Sequence, residues 1–485
     1  MFLLLPSHLF PLEYLRPHKK KRLIMIEAWD YFSRYSYHKK RLVFFLESMR
    51  VYRDALVERG WNVCYVPLEK KLSFLEALEE NMGKDSSIES FCIEERYLAT
   101  TLYAYSKEKK YAYTSHPSPL FLEKDEDLDL YFSGKKVLRM QHFYQKMRQK
   151  YGILLGKNGQ PLGGKWSFDQ ENRKPLPRSQ QVVGRRLPKP SSRHKEVAQL
   201  VDRFFPSHPG DTKGAWLPTT RCGALSWLKQ FLSDSFLLFG PYEDAISQKD
   251  PFLFHSALSP LLNLGLLTPK EVLQEALKAP GIPNNSLEGF VRQILGWREF
   301  IHGIDRVHGK KEEESNFFSH ERKLASSWYG AETGIPVIDD TIRKVLSHGY
   351  CHHIERLMVL SNLMLLCEVH PKEVFRWFME LFVDSAEWVM VPNVYGMGQF
   401  SDGGLFATKP YLCGSNYLLK MSDYKKEESY LAIDGLYWRF IERKKEFFRK
   451  HPRLNMMVRL LEKMPVSKKK TLFAKGEEFL QKNTR

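Results

Sequence analysis

From about residue 196 to the C terminus the chain carries helical periodicity with almost no strand-like alternation, and that pattern excludes most folds. Apolar residues recur at helical spacing over residues 196–205, 224–236, 269–278, 287–302, 339–367 and 371–382, with Pro and Gly between the runs. The pattern predicts an all-α domain over residues 196–485. The first 135 residues read differently. Short apolar runs at 1–5, 23–26, 63–66 and 90–93 read as buried strands, with helical stretches over 40–59 and 72–80 among them. This alternation predicts a parallel sheet with helical crossovers, a Rossmann-like α/β domain over residues 1–135. Residues 136–195 hold Gly156, Gly159, Gly163 and Gly164, several prolines and many basic residues, and read as a basic interdomain linker running over the surface.

The formal net charge of +17 implies attraction to a polyanion and favours nucleic acid over an anionic membrane. Aromatic residues make up 13% of the chain, enough for large helical cores with some rings left for stacking. No apolar run reaches bilayer length, and Met1 to Leu5 followed by Pro6 is too short for a signal-peptide core, so a cytoplasmic protein is expected. The cysteines, Cys64, Cys92, Cys222, Cys351, Cys367 and Cys413, are scattered without a C-x-x-C pair. They suit neither a disulfide framework nor a metal site, and each reads as a small buried apolar residue. No metal-ligand set is expected.

Five segments could carry chemistry. The first is the hydroxyl-rich turn His255-Ser256-Ala257-Leu258-Ser259-Pro260, which offers backbone N–H groups to a phosphate, although Ser before Pro is also a common helix cap. In the second, Phe290 to Phe300, Arg292 and Glu299 lie seven apart and should share a helix face, and Gly296 permits close approach of a neighbour; a salt-bridged amphipathic helix is the plainer alternative. The third places His352 and His353 side by side; on a helix they would point about 100° apart, poorly for one metal, but one could donate a proton. The fourth, Glu387 to Tyr417, is a loop-rich stretch of Gly, Asn and Tyr. The fifth, Gly163 to Lys174, interleaves basic and aromatic residues in a way that suits a phosphate backbone and unstacked bases.

Taken together, GGKWSFDQENRKPLP, FHSALSPLLNLGLL, FVRQILGWREFIHGI, GYCHHIERLMVL and WVMVPNVYGMGQFSDGGLFATKPY occur in this order and resemble the bacterial photolyase/cryptochrome family, in particular the relatives of the iron–sulfur (6-4) photolyases. The resemblance spans residues 23–460 and implies an α/β antenna domain, a long linker and a helical domain that binds FAD. By position it implies that His255, Ser256, Leu258, Ser259, Arg292, Gln293, Trp297, Arg298, Asp384, Met390 and Asn393 bind the cofactor. It puts His353, with His352, Tyr411 and Tyr417, at the lesion, and Lys165, Asn172, Arg173 and Lys174 on DNA. Trp377 and Phe378, with Trp328 or Tyr329 as the outer member, would relay electrons.

The departures are specific. Val337 stands where the iron–sulfur members place one cysteine, and residues 425–433 contain none of the other three, so no cluster is expected. Leu5-Pro6-Ser7-His8-Leu9 differs from the Gly-Asp-Gln-Leu start of relatives, which leaves a ribityl-lumazine or another antenna chromophore open. The implied function is light-driven repair of pyrimidine dimers in UV-damaged DNA, (6-4) photoproducts first, by a monomer. The alternatives are a cyclobutane-dimer photolyase and a cryptochrome-like light sensor without repair.

Overall fold

The computed structural model describes residues 1–485 except Lys84, Lys136 and Arg178, so the first residue of the expected linker lies outside the described residues. Five parallel strands form one sheet: β1 (Phe2–Leu4), β2 (Leu23–Ile26), β3 (Val63–Val66), β4 (Ser87–Phe91) and β5 (Ala112–His116), in the order β3-β2-β1-β4-β5. The two innermost apolar strands, β1 and β2, are buried throughout, as parallel strands covered on both faces must be. β5 escaped the sequence reading because it is a polar, mostly exposed edge strand, AYTSH, with no apolar run to mark it. β4 begins three residues earlier than expected for the same reason, since its leading Ser87 is polar.

In an open α/β sheet the crevice where the strand order reverses is the usual ligand site. Here the loop after β1 fills it. His8 places its ring against Phe10 and Phe91, and its Nε2 lies 3.2 Å from the Cys92 carbonyl. Leu9 N–H then donates to the Leu264 carbonyl at 2.9 Å, docking this edge onto the helical half.

The expected linker is not all loop. Met140–Tyr151 is a helix that buries Phe143, Tyr144 and Met147. Gly296 receives it: a Cβ there would meet the Tyr144 ring at 3.1 Å and Met140 at 3.2 Å. The helix expected over 339–367 is two pieces. Pro336–His348 stops at Gly349, whose φ of 63° is the left-handed conformation that ends helices, and the chain restarts only at His353. Among the described residues no helix is long and apolar enough to cross a membrane. Cys351, Cys367 and Cys413 are buried as expected, Cys64 and Cys92 are half-buried, and Cys222 is exposed, a correction to its reading as a core residue.

Candidate functional site

Three segments in the helical half adopt π-helical winding: Arg292–Arg298, Glu355–Ser361 and Pro392–Gly398. A π turn takes in an extra residue per turn, and such turns gather at functional sites. All three flank one cavity of about 1450 Å³. Their winding corrects one expectation. Arg292 and Glu299 do not share a face, because seven residues no longer make two α turns: Arg292 reaches Glu288, Asp169 and Glu243, whereas Glu299 accepts from the Leu122 and Glu123 amides. The second and third π segments touch at Gly398, where a Cβ would come within 2.2 Å of the Ser361 hydroxyl. Only glycine allows that approach.

Every residue expected to bind the cofactor lies on the wall of this cavity: His255, Ser256, Leu258, Ser259, Arg292, Gln293, Trp297, Arg298, Asp384, Met390 and Asn393. The turn at 255–259 is held rigidly. Ala257 has φ of 49°, costly for a side chain with a Cβ, and the Ser256 carbonyl accepts from Trp227 Nε1 at 3.0 Å and Arg185 Nη1 at 2.9 Å. The Ser259 hydroxyl is already engaged, donating to Asp384 Oδ2 at 2.5 Å.

Asp384 also binds Arg356 through two bonds of 3.0 and 3.1 Å, and its carbonyl accepts from Asn263. Asn263 in turn accepts from Arg298 Nη1 at 2.9 Å. Arg298 is the least satisfied member. Its Nε and Nη2 are buried without a protein partner among the described residues, and it packs over Trp388 at 4.6 Å and Phe121 at 5.0 Å. Burial pulls its guanidinium down to about 10, despite the neighbouring carboxylates of Glu299 and Glu94. A buried cation with free donors in an apolar wall is poised for an anion. Arg356 carries no role in the sequence reading. Its signal was present, an Arg in the same motif as the histidine pair, but its partner Asp384 lies 28 residues away.

At one side of the cavity stand His353, Tyr411, Tyr417 and Arg173. His353 keeps 47% of its side chain open, and its Nε2 lies 3.6 Å from Asp244 Oδ1. Burial alone would lower its pKa, but the Asp244 bond and the Glu243 charge outweigh burial and raise it. His352 behaves in the opposite way and corrects the expectation that it faces the lesion. It precedes the helix, is fully buried, lies off the cavity wall, and stacks on His255 at 4.6 Å with the rings 7° from parallel. Burial, then the charges of its histidine neighbours, hold both His255 and His352 neutral.

The linker residues divide. Lys165 and Arg173 are exposed, with 61% and 60% of their side chains open, and Lys174 is exposed as well. Asn172 is 1% exposed and cannot touch DNA, contrary to expectation. Its amide donates to Glu243 Oε2 and to the Asn285 carbonyl, pinning the linker to the helix Asn284–Val291. Gln293 joins the same network, donating to Glu243 Oε1 at 2.7 Å.

Phe378 lies on the cavity wall and stacks on Phe382, with Trp377 at 5.3 Å from Phe378. Trp377 is fully buried, and its Nε1 donates to the Trp328 carbonyl at 3.1 Å. Trp328 is also fully buried, whereas the next residue, Tyr329, is 37% exposed with its hydroxyl 3.3 Å from Glu380.

The chain matches the deoxyribodipyrimidine photo-lyase-related protein family over residues 2–217 and the FAD binding domain of DNA photolyase over residues 290–431. It is 33% identical over 484 residues to a (6-4) photolyase of Agrobacterium fabrum, covering 96% of this chain and 95% of that protein. Among solved structures it resembles a bacterial class III photolyase from Agrobacterium tumefaciens (TM-score 0.55, 17% identity, 99% and 97% of the two chains covered). It also resembles a Synechocystis cryptochrome (TM-score 0.57, 15% identity, 97% and 93% covered). At those identities the two structures speak for the fold.

Proposed function

The chain belongs to the photolyase/cryptochrome family, and from that premise we propose that it is a DNA-repair lyase that uses light to reverse (6-4) photoproducts. The observation that carries the lesion assignment is the His353–Asp244 pair at the cavity wall beside Tyr411 and Tyr417. A histidine with a raised pKa holds its proton to higher pH than an ordinary one, and with Nε2 facing Asp244 the proton on its other ring nitrogen is the one it would give to a lesion.

The cavity suits FAD in volume and in charge, because Arg298 holds two free buried donors. Bound and reduced, FAD would supply the light-excited electron. Arg298 and the backbone of the 255–259 turn would hold its phosphates, while Asp384, fixed by Arg356 and Ser259, would set the wall between them. Met390 and Asn393 would line the ring, with Trp297, Arg292 and Gln293 around it. Phe378, Trp377 and Tyr329 would lead electrons in from solvent, with Tyr329 favoured as the outer member because it is 37% exposed and Trp328 is fully buried. The dimer would flip out of the duplex into the cavity, with Arg173, Lys165 and Lys174 on the backbone.

We also infer that the chain holds no iron–sulfur cluster. Val337 stands where the iron–sulfur members place a cysteine and is fully buried among apolar neighbours, and residues 425–433, which include the buried Tyr430, contain no cysteine. Stoichiometric iron in purified protein would contradict this. An antenna chromophore at the β1 crevice would have to displace His8. The working setting is the cytoplasm, and the acting unit a monomer. The test of the lesion assignment is His353→Ala: flavin should stay bound while (6-4) repair is lost, and retained repair would remove His353 from the reaction.

A further inference from the structure

We propose that the α/β half carries a divalent transition-metal site of zinc type, formed by His18, Glu89 and His116, separate from the cavity of the helical half. The three residues come from distant segments, the turn Arg16–His18 ahead of β2, the middle of β4 and the end of the edge strand β5. Their ligand atoms all lie within 4.8 Å of one another. His116 Nε2 is 2.9 Å from Glu89 Oε2, and the two imidazole rings sit 4.7 Å apart at 61°. His18 is 8% exposed, and its ring lies beside those of His116 and Phe2.

The donor set suits the ion. Two imidazoles and one carboxylate, with water in the fourth position, is the ligand set of an open zinc site. Bonds of about 2.0–2.1 Å in a tetrahedron place ligand atoms roughly 3.3 Å apart, so a pair at the 4.8 Å limit need close by only about 1.5 Å, and the 2.9 Å His116–Glu89 pair opens by about 0.4 Å. Side-chain rotation can do this, because the paired strands β4 and β5 already hold the backbones of Glu89 and His116 close together. The surroundings match a second layer of support. Lys21 binds the other carboxylate oxygen of Glu89, leaving Oε2 for the ion. Phe2 lies 4.2 Å from the His18 ring and 5.8 Å from that of His116, which orients both.

His255, His352 and His353 are equally close together but do not suit an ion. The His255 and His352 rings are within 7° of parallel, so their in-plane lone pairs cannot meet at one point without rotating a packed stack. His353 is engaged by Asp244. A metal at the first cluster would tie the edge strand β5 to the entry of β2 and stabilise the fold by mass action.

The test uses full-length, flavin-loaded, tag-free protein stripped with EDTA, titrated with Zn²⁺ by calorimetry and with Co²⁺ by visible absorption. One bound equivalent, a tetrahedral Co²⁺ spectrum and a melting temperature raised by Zn²⁺ are expected. Glu89→Gln keeps the shape of the site and should weaken binding at least about tenfold, the loss that even an outer-shell change produces. His116→Ala should abolish the equivalent with flavin content unchanged, and His353→Ala should keep it. No saturable equivalent, or one that survives both Glu89→Gln and His116→Ala, overturns the proposal, as does an equivalent lost only in His353→Ala.

Discussion

Replacing Asp244 with Asn should shift the alkaline limb of the repair profile to lower pH by about one unit. The pair is 3.6 Å apart at Nε2 and Oδ1, with side chains 47% and 19% exposed. Unit charges about 4 Å apart interact by about 1 kcal/mol in water and about 4 kcal/mol at an effective dielectric of 20. The half-open histidine puts this pair near the lower end, since solvent screens it, so about 1–2 kcal/mol is at stake. One pKa unit corresponds to about 1.4 kcal/mol. The direction follows from the charge. His353 is raised by Asp244 and Glu243 against the effect of burial, so its imidazolium persists to higher pH than an ordinary histidine. The asparagine amide keeps the shape of the carboxylate without its charge, and the proton is then lost at lower pH. Repair should be unchanged on the acid side and fall about tenfold on the alkaline limb. The assay is single-turnover, light-driven repair of (6-4) DNA across pH, with flavin content and DNA affinity measured alongside. A limb that stays in place or moves upward refutes the reasoning, and a uniform loss at every pH makes Asp244 purely structural.

Arg298→Met keeps most of the side-chain volume and removes the buried donors, so flavin affinity should fall about 10- to 100-fold with the fold intact by circular dichroism; unchanged affinity would place the phosphates elsewhere. Trp377→Phe should slow flavin photoreduction without altering flavin content, and an unchanged rate would mean a route that bypasses the Trp328–Tyr329 segment. Arg173→Ala should weaken binding to damaged and undamaged DNA alike and lower the salt dependence by about one contact; a loss confined to the lesion would make Arg173 a lesion residue instead.

Much of this was legible in the chain. Buried strands such as β1 and β2 announce themselves as apolar runs, and long helices by their period, whereas β5 is exposed and polar and gave no sign. The motif residues around the cavity were found because each motif is local. What was missed is non-local or concerns winding. The π segments look like ordinary helix in sequence, which is why Arg292 and Glu299 were placed on one face. Asn172 sits in a basic, exposed-looking stretch, but its short amide fits between Glu243 and Asn285 and is buried. His352 and His353 are indistinguishable as a pair until Gly349 ends the preceding helix and His352 turns inward. His18, Glu89 and His116 come together only through parallel strand pairing.

The measurement that bears most directly on the central claim is repair of DNA carrying a single (6-4) photoproduct or a single cyclobutane dimer, in light and in darkness. The account predicts light-dependent loss of the (6-4) lesion, no loss in darkness, and little or none for the cyclobutane dimer. Light-driven loss of the cyclobutane dimer alone, or a flavin-loaded protein that repairs neither, would contradict it.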